Sequence, residues 1–540
     1  MKKPAIKSHL FIILMTFYFG FCLNLAFWRY IHENLAVTNT QTALFAVSLV
    51  FFILIPLYVF FNLVVVPFFA KTLTVILLLI SSAANYWMVH YGIFIDPDMV
   101  RNVFETNRRE ALDLITWSFL FWFGLTGVIP ALLVVLADIT YQSFGKELKK
   151  RFVLIVISLV VFGALAGVFY KEYAAFGRHH KHARALINTA NYIHATTRYI
   201  RAKTQVPKTF ETIDQTAVVV SFEDQHKTVL VLALGEAARP HNFSLYGYKR
   251  DTNPLLAQQD IIRFRDVSAC GTTTAISVPC IFSHKPRKDF DVDDARYTEN
   301  LLDILKTAGN DIIWLENDDG CKGVCARVYT EDMVKVNDPR YCKGSYCHDE
   351  ALLDRLEDIL NNIKTDTLIV LHMMGSHGPT YYNRYPDRFK VFQPTCDTGN
   401  LQNCTRNAII NTYDNTILYT DFVLSSIIDI LKKHPDYETG LLYVSDHGES
   451  LGENNIYLHG LPYKIAPQEQ IKIPMILWMS DTMKENDHID EDCLKQEAEK
   501  HAYTHDNLFH SIVSLFEIKT KVYNPTLDLF KTCRTKALLF

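Results

Sequence analysis

Charge is missing from most of the first third of this chain. Five stretches, residues 10–28, 42–61, 72–89, 115–136 and 152–169, contain no Asp, Glu, Lys or Arg. At about 1.5 Å per residue a helix of that length crosses an apolar layer about 30 Å thick, which excludes an ordinary water-soluble core for this region. No small-residue cleavage site follows the first stretch before Arg29, which argues against a removed signal peptide. Internal repeats and low-complexity tracts are also lacking, so solenoids and repeat arrays are excluded. Neither sign of charge dominates: 54 Lys and Arg stand against 58 Asp and Glu. The basic residues gather at the ends of the apolar stretches rather than on a patch, and no nucleic-acid partner is expected.

Those basic residues set an expected topology. Lys2, Lys3 and Lys7 precede the first stretch, Lys71 separates the second from the third, and Lys146, Lys149, Lys150 and Arg151 lie between the fourth and fifth. By the positive-inside rule these are cytoplasmic sides, and five spans starting inside leave everything after Tyr170 outside. Cysteine gives an independent reading. Only Cys22 precedes residue 200; the other ten follow it, as oxidising surroundings would favour. Close spacing predicts pairs Cys270 with Cys280, Cys321 with Cys325, Cys342 with Cys347 and Cys396 with Cys404, which leaves Cys493 with Cys533 by elimination. The expected division is a five-span domain over residues 1–170, a linker over 171–225 and a catalytic domain over 226–540.

Within the linker, residues 173–203 carry Leu186, Ala190, Ile193, Thr197 and Ile200 at helical spacing among basic residues, which predicts one amphipathic helix at the membrane surface, ended by Pro207. A solvated linker with one packed stripe fits the pattern equally. Beyond it, short apolar runs at 229–234, 311–315, 367–371, 441–444 and 473–478 alternate with helical patterns at 297–307, 349–363, 413–433 and 505–516. This predicts an α/β layer with a mostly parallel sheet, whose ligands collect at the carboxyl ends of the strands.

Two of those ends are unusual. One runs from apolar strand directly into Glu236, the other into Asp446 and His447, and carboxylates with an imidazole form a ligand set suited to catalytic zinc. Taken alone, a capping or ion-pair role fits them as well. Between them lies a hydroxyl cluster, Thr272, Thr273 and Thr274, bracketed by Cys270 and Cys280 and followed by a run that can begin a helix. A hydroxyl at a helix N-terminus faces unpaired N–H groups and suits a phosphoryl group, provided a metal or base activates it. An ordinary N-cap is the plainer alternative, and these criteria do not separate the three threonines. His377 follows a strand, His459 lies downstream of the Asp-His pair, and Lys322 sits between Cys321 and Cys325, where it can meet an anion. In the loop between the third and fourth stretches, Asn102, Thr106 and Glu110 recur every four residues and would share one helix face.

On these residues and the words around them, the chain resembles the phosphoethanolamine transferases that modify lipid A. That family includes the mobile colistin-resistance enzymes and belongs to the alkaline phosphatase-like superfamily. The resemblance rests on Gly235-Glu-Ala-Ala-Arg239, Cys270-Gly-Thr-Thr-Thr-Ala-Ile-Ser-Val-Pro-Cys280, Gly375-Ser-His-Gly-Pro379, Ser445-Asp-His-Gly-Glu-Ser-Leu-Gly-Glu453 and Tyr503-Thr-His-Asp-Asn-Leu-Phe-His510. Ala237 stands where the family often has Thr, a departure that removes no ligand. The resemblance implies five transmembrane helices followed by an alkaline phosphatase-like domain in the periplasm of the bacterial inner membrane. It implies zinc held by Glu236, Thr274, Asp446 and His447, with Thr274 as nucleophile and a second zinc conceivable. His377, His459 and Lys322 would meet the phosphoryl group, and Asn102, Thr106 and Glu110 the ethanolamine.

The implied reaction moves phosphoethanolamine from phosphatidylethanolamine to lipid A through a phosphoethanolamine-threonine, in a monomeric enzyme. Lower surface charge, and with it lower susceptibility to polymyxin, is the expected consequence. Three other readings compete: the same transfer to a core sugar, glucan or protein; a glycerol-phosphate polymerase; and a catalytically silent membrane sensor. A sulfatase is disfavoured because the Cys/Ser-x-Pro-x-Arg word is absent around Cys270 and Cys280.

Overall fold

The computed structural model describes residues 5–106, 108–180, 183–204, 209–220, 226–344 and 346–536, with the backbone alone at 108–110. Two compact units emerge: Met1–Val100 with Ile115–Lys203, and Arg101–Leu114 with Thr204–Phe540.

The first unit is helical. Thr40–Val64, Ala70–Tyr91, Trp117–Leu136 and Phe144–Val168 are long and apolar enough to span a membrane, and a bent pair, Ser8–Cys22 with Leu25–Asn34, makes up to five. The expected first span is therefore not one straight helix. It turns by 53° at Leu23 and Asn24, where buried Asn24 donates its Nδ2–H to the Phe19 carbonyl and accepts the Asn188 N–H on Oδ1. A polar side chain that competes for backbone groups in this way is a recognised cause of a kink. The last span begins earlier than its apolar run. Lys146, Lys149, Lys150 and Arg151 fall inside helix Phe144–Val168, and Arg151 pairs with Glu147 at 2.9 Å and donates to the Asn62 carbonyl.

Residues 173–203 also depart from the single helix expected. They form the end of helix Tyr170–His179, a 3-10 turn Ala183–Leu186 and helix Asn188–Thr204. The break is fixed by Asn188, whose Nδ2 donates to the carbonyls of Leu23 and Ser81. The packed stripe shifts accordingly. Thr189, Tyr192 and Ala195 are buried, with Tyr192 bonded to Ser81, whereas Ala190 and Thr197 are exposed and Ile200 is 52% exposed. Pro207 lies outside the described residues.

The second unit is built on a seven-stranded sheet: β1 (Lys227–Gly235), β2 (Ile262–Arg263), β3 (Asp311–Glu316), β4 (Tyr329–Asp332), β5 (Thr367–His372), β6 (Tyr437–Ser445) and β7 (Met475–Met479). Their order is β2-β7-β6-β1-β5-β3-β4, and the five from β6 to β4 are parallel. β7 runs antiparallel to both neighbours. From Val229 to Leu234 every side chain is fully buried, as expected where helices cover both faces of a parallel sheet. Helices Leu301–Thr307, Glu350–Leu360, Arg406–Leu431 and Asp506–Leu515 lie where helical patterns were read. Arg406–Leu431 starts seven residues before its apolar pattern because Thr405 caps it, accepting the Ala408 N–H. All five cysteine pairs are bonded, Cys493 with Cys533 included.

Candidate active site

Strand register assembles the centre. Ser445 pairs with Gly235, so the next residues, Asp446 and Glu236, leave β6 and β1 side by side. Asp446 Oδ1 accepts the N–H groups of Ala237 and His447, at 3.2 and 2.7 Å. That leaves Asp446 Oδ2 without a hydrogen-bond partner, and Glu236 Oε1 is in the same condition. Glu236, Asp446 and His447 are all fully buried. His447 Nε2 stands 3.3 Å from Glu236 Oε1 and 3.4 Å from Asp446 Oδ2, while its Nδ1 is 3.0 Å from the Gly448 carbonyl. A carbonyl only accepts, so the proton is assigned to Nδ1 and Nε2 turns a lone pair toward two carboxylates.

Lone pairs facing one another in a dry site repel unless a proton or cation sits among them. Burial, and then the charge of Asp446, holds the Glu236 carboxyl well above the usual range. Burial pushes the His447 imidazole down to about 4. Two carboxylates, a neutral imidazole and a hydroxyl make a donor set that fits a divalent ion such as zinc. One donor atom each from Glu236, His447 and His459 lies within 4.8 Å of the other two.

The hydroxyl comes from helix Thr274–Ile281, and here geometry separates the three threonines. Thr272 donates to the Leu461 carbonyl at 2.7 Å. Thr273 occupies the N-cap yet caps nothing, and its Oγ1 is buried without a partner. Thr274 Oγ1 lies 3.0 Å from Glu236 Oε2 and 3.5 Å from His447 Nε2. No side chain caps the helix, so its N-terminus and positive dipole end lie at Thr274, its first residue. The Cys270–Cys280 disulfide closes this loop, and His505 ties it to the end of β6, accepting the Cys270 N–H on Nδ1 while its Nε2 meets the Ser445 carbonyl, each at 3.0 Å.

A file of histidines borders the centre. The His459 ring is 4.2 Å from that of His447, and the His377 ring is 5.9 Å from that of His459. His459 Nδ1 meets Glu449 Oε2 at 2.9 Å, and Tyr381 donates to Glu449 Oε1 at 2.6 Å. Lys322, in a left-handed conformation at φ 51° beside the Cys321–Cys325 link, bonds the Asp319 carboxylate at 2.6 Å.

The predicted face of Asn102, Thr106 and Glu110 is interrupted. Helix Pro97–Glu105 ends before Thr106, whose hydroxyl bonds the Asn102 carbonyl, and a second helix begins at Arg108. Among the described residues, neither Asn102 nor Thr106 makes a hydrogen bond to the Glu236–His447 cluster. The Glu110 side chain lies outside the described residues.

Sequence reasoning missed a buried charged group at the next two strand ends. His372, ending β5, bonds Glu316, ending β3, at 2.9 Å, and its Nε2 is 3.6 Å from Asp318. Burial opposes charge on His372, but Glu316, Asp318 and Asp446 together outweigh it and raise the imidazole to about 9. Asp318 in turn raises the carboxyl of Glu236, so this group bears on the centre electrostatically. Glu449, Tyr381 and His505 were quoted in motifs or passed over; their long-range partners give them meaning.

Two family profiles match the chain: Sulfatase over residues 228–518, and Phosphoethanolamine transferase EptA/EptB over residues 51–204. Phosphoethanolamine transferase EptA of Escherichia coli (strain K12) is 37% identical over 538 residues, 99% of this chain and 98% of that protein. Phosphatidylethanolamine transferase Mcr-1 of Escherichia coli is 36% identical over 462 residues, 83% of this chain and 84% of that one. The integral membrane protein lipooligosaccharide phosphoethanolamine transferase A (EptA) of Neisseria meningitidis matches with a TM-score of 0.96 at 37% identity, over 98% of this chain and 99% of that structure. Likeness on this scale, running unbroken from the apolar helices through the sheet, means that the chain belongs to the phosphoethanolamine transferase family, with a sulfatase-type, alkaline phosphatase-like soluble domain.

Proposed function

We propose that this chain transfers phosphoethanolamine from phosphatidylethanolamine to a phosphate of lipid A through a covalent phosphoethanolamine-threonine. In this reading it is a monomer of the bacterial inner membrane with a cytoplasmic N-terminus. Residues 1–170 span the membrane, 171–225 connect, and 226–540 work in the periplasm. The observation that carries the reading is the position of Thr274 Oγ1, 3.0 Å from Glu236 and at an uncapped helix N-terminus.

Glu236, Thr274, Asp446 and His447 would hold one zinc ion, and His377 with His459 leaves room for a second. The partnerless atoms Glu236 Oε1 and Asp446 Oδ2 and the bare Nε2 of His447 support that fit. Bound there, zinc supplies a Lewis acid that acidifies a hydroxyl and offsets phosphoryl charge. Thr274 Oγ1 forms the new bond to phosphorus as the bond to the diacylglycerol oxygen breaks. The threonine proton ends on that oxygen, with His459, set by Glu449, as its carrier. The helix N–H groups and Lys322 offset charge on the phosphoryl oxygens, and Asn102, Thr106 and Glu110 hold the ethanolamine. A lipid A phosphate oxygen then bonds to phosphorus from the His377 side as the bond to Thr274 Oγ1 breaks, and the proton given up by that phosphate restores the threonine hydroxyl.

Intact-mass analysis after incubation with zinc and phosphatidylethanolamine tests this. Wild type gains one phosphoethanolamine, mapped to Thr274, and Thr274→Ala gains none. A zinc-loaded wild type without the increment overturns the reading.

A further inference from the structure

The segment Arg101–Leu114 lies in sequence between two apolar helices yet belongs to the compact unit of the sheet. It is fastened at both ends. At the first, Arg101 bonds Asp293 at 2.8 Å and Glu105 pairs with Arg296. At the second, Asp113 Oδ2 accepts from the Thr380 hydroxyl at 2.9 Å and from Arg384 Nη2 at 3.3 Å. Arg384 is the important member. Its side chain is 4% exposed, and Asp113 is the one carboxylate that pairs with it among the described residues. The same Nη2 donates to Thr380 Oγ1 at 2.9 Å, and Nε donates to the backbone carbonyl of His377 at 2.8 Å. The backbone fits closely as well. A Cβ on Gly399 would stand 3.2 Å from the Asp113 carbonyl and 3.3 Å from the Thr380 methyl.

A guanidinium is a planar fork with fixed N–H directions, so what holds one edge aims the other. We infer that Asp113 is a positioning residue for the transfer reaction: through Arg384 and Thr380 it holds the His377 backbone, and so sets where the His377 imidazole meets the phosphoryl group. This inference rests on the functional reading above. It gives the segment a role apart from contact with the ethanolamine. Arg384 would be left buried without a counter-charge if Asp113 were lost, and it would turn away from the His377 carbonyl to find solvent.

The test uses the full-length protein with zinc and phosphatidylethanolamine, following formation of the phosphoethanolamine adduct by intact mass. Displacement by about 1 Å can cost on the order of a hundredfold in rate. Asp113→Ala is expected to lower the maximal rate about 10- to 100-fold with KM changed less than about threefold and zinc content unchanged. Asp113→Asn keeps an oxygen that accepts from Thr380 and Arg384 but not the counter-charge, and is expected to lose less of the rate than Asp113→Ala does. Hydrogen exchange in peptides covering residues 374–385 rises in Asp113→Ala and rises less in Asp113→Asn. Thr380→Val, which removes one arm while leaving Arg384 on His377, gives a smaller loss and serves if Asp113→Ala does not fold. A wild type that forms no adduct sinks the functional reading. A wild type that reacts while a folded Asp113→Ala matches its rate and exchange, or Thr380→Val matches wild type where Asp113→Ala is unfolded, overturns this inference alone.

Discussion

Gly375 shows how little freedom single residues have around this centre. Its φ is +52°, and a Cβ there would lie 2.8 Å from the Glu236 carbonyl oxygen and 2.9 Å from the Glu236 nitrogen. Backbone cannot swing aside as a side chain can, so Gly375→Ala must shift the end of β1, and Glu236 with it, relative to Asp446, besides the cost of about 1 kcal/mol for a left-handed alanine. The expected outcome is zinc bound at least tenfold more weakly, read by competition with a chelator, in a protein whose circular dichroism is unchanged. The threonines make the matching point about legibility. Composition and spacing left Thr272, Thr273 and Thr274 equal, because the difference between them lies in contacts with Leu461 and Glu236 that no local pattern contains.

Among the elements, the disulfides differ most in the length of chain they close. Cys321–Cys325 spans 4 residues and Cys493–Cys533 spans 40. The chain-entropy argument gives about 2 kcal/mol for the first and about 4 kcal/mol for the second. Replacing both Cys493 and Cys533 by Ser is therefore expected to lower the unfolding free energy of the soluble unit by about twice as much as replacing Cys321 and Cys325, measured by urea titration. Strands were legible because β1, β3, β5 and β6 each contain an unbroken apolar run that gives way abruptly to polar residues. The start of helix Asn188–Thr204 was not, since it depends on carbonyls of Leu23 and Ser81, more than a hundred residues away. Asp113 escaped for the same reason: its partners Thr380 and Arg384 lie in another part of the chain.

For the whole molecule, buried imidazoles of opposite kinds bound the pH range of stability. Burial lowers His348 and His510 to about 4, so each must stay neutral in the fold. The unfolded chain binds their protons from about pH 6.5 downward, and stability falls as pH drops from there toward 4. His372 has the opposite sign. Glu316, Asp318 and Asp446 together overcome burial and raise it to about 9, so its contribution is complete below about pH 6.5 and is lost as pH climbs through 9. The full-length protein is expected to melt at its highest temperature near pH 6.5, and His372→Gln should flatten the alkaline side while leaving the acid side in place. The register that brings Glu236, Asp446, His372 and Glu316 out on neighbouring strands has a further consequence. Such a rim cannot be retuned one strand at a time, because a slip of one residue turns every side chain on that strand to the opposite face. A change in what the enzyme serves is therefore cheapest in the connections, where insertions cost little and the register of the rim is left alone.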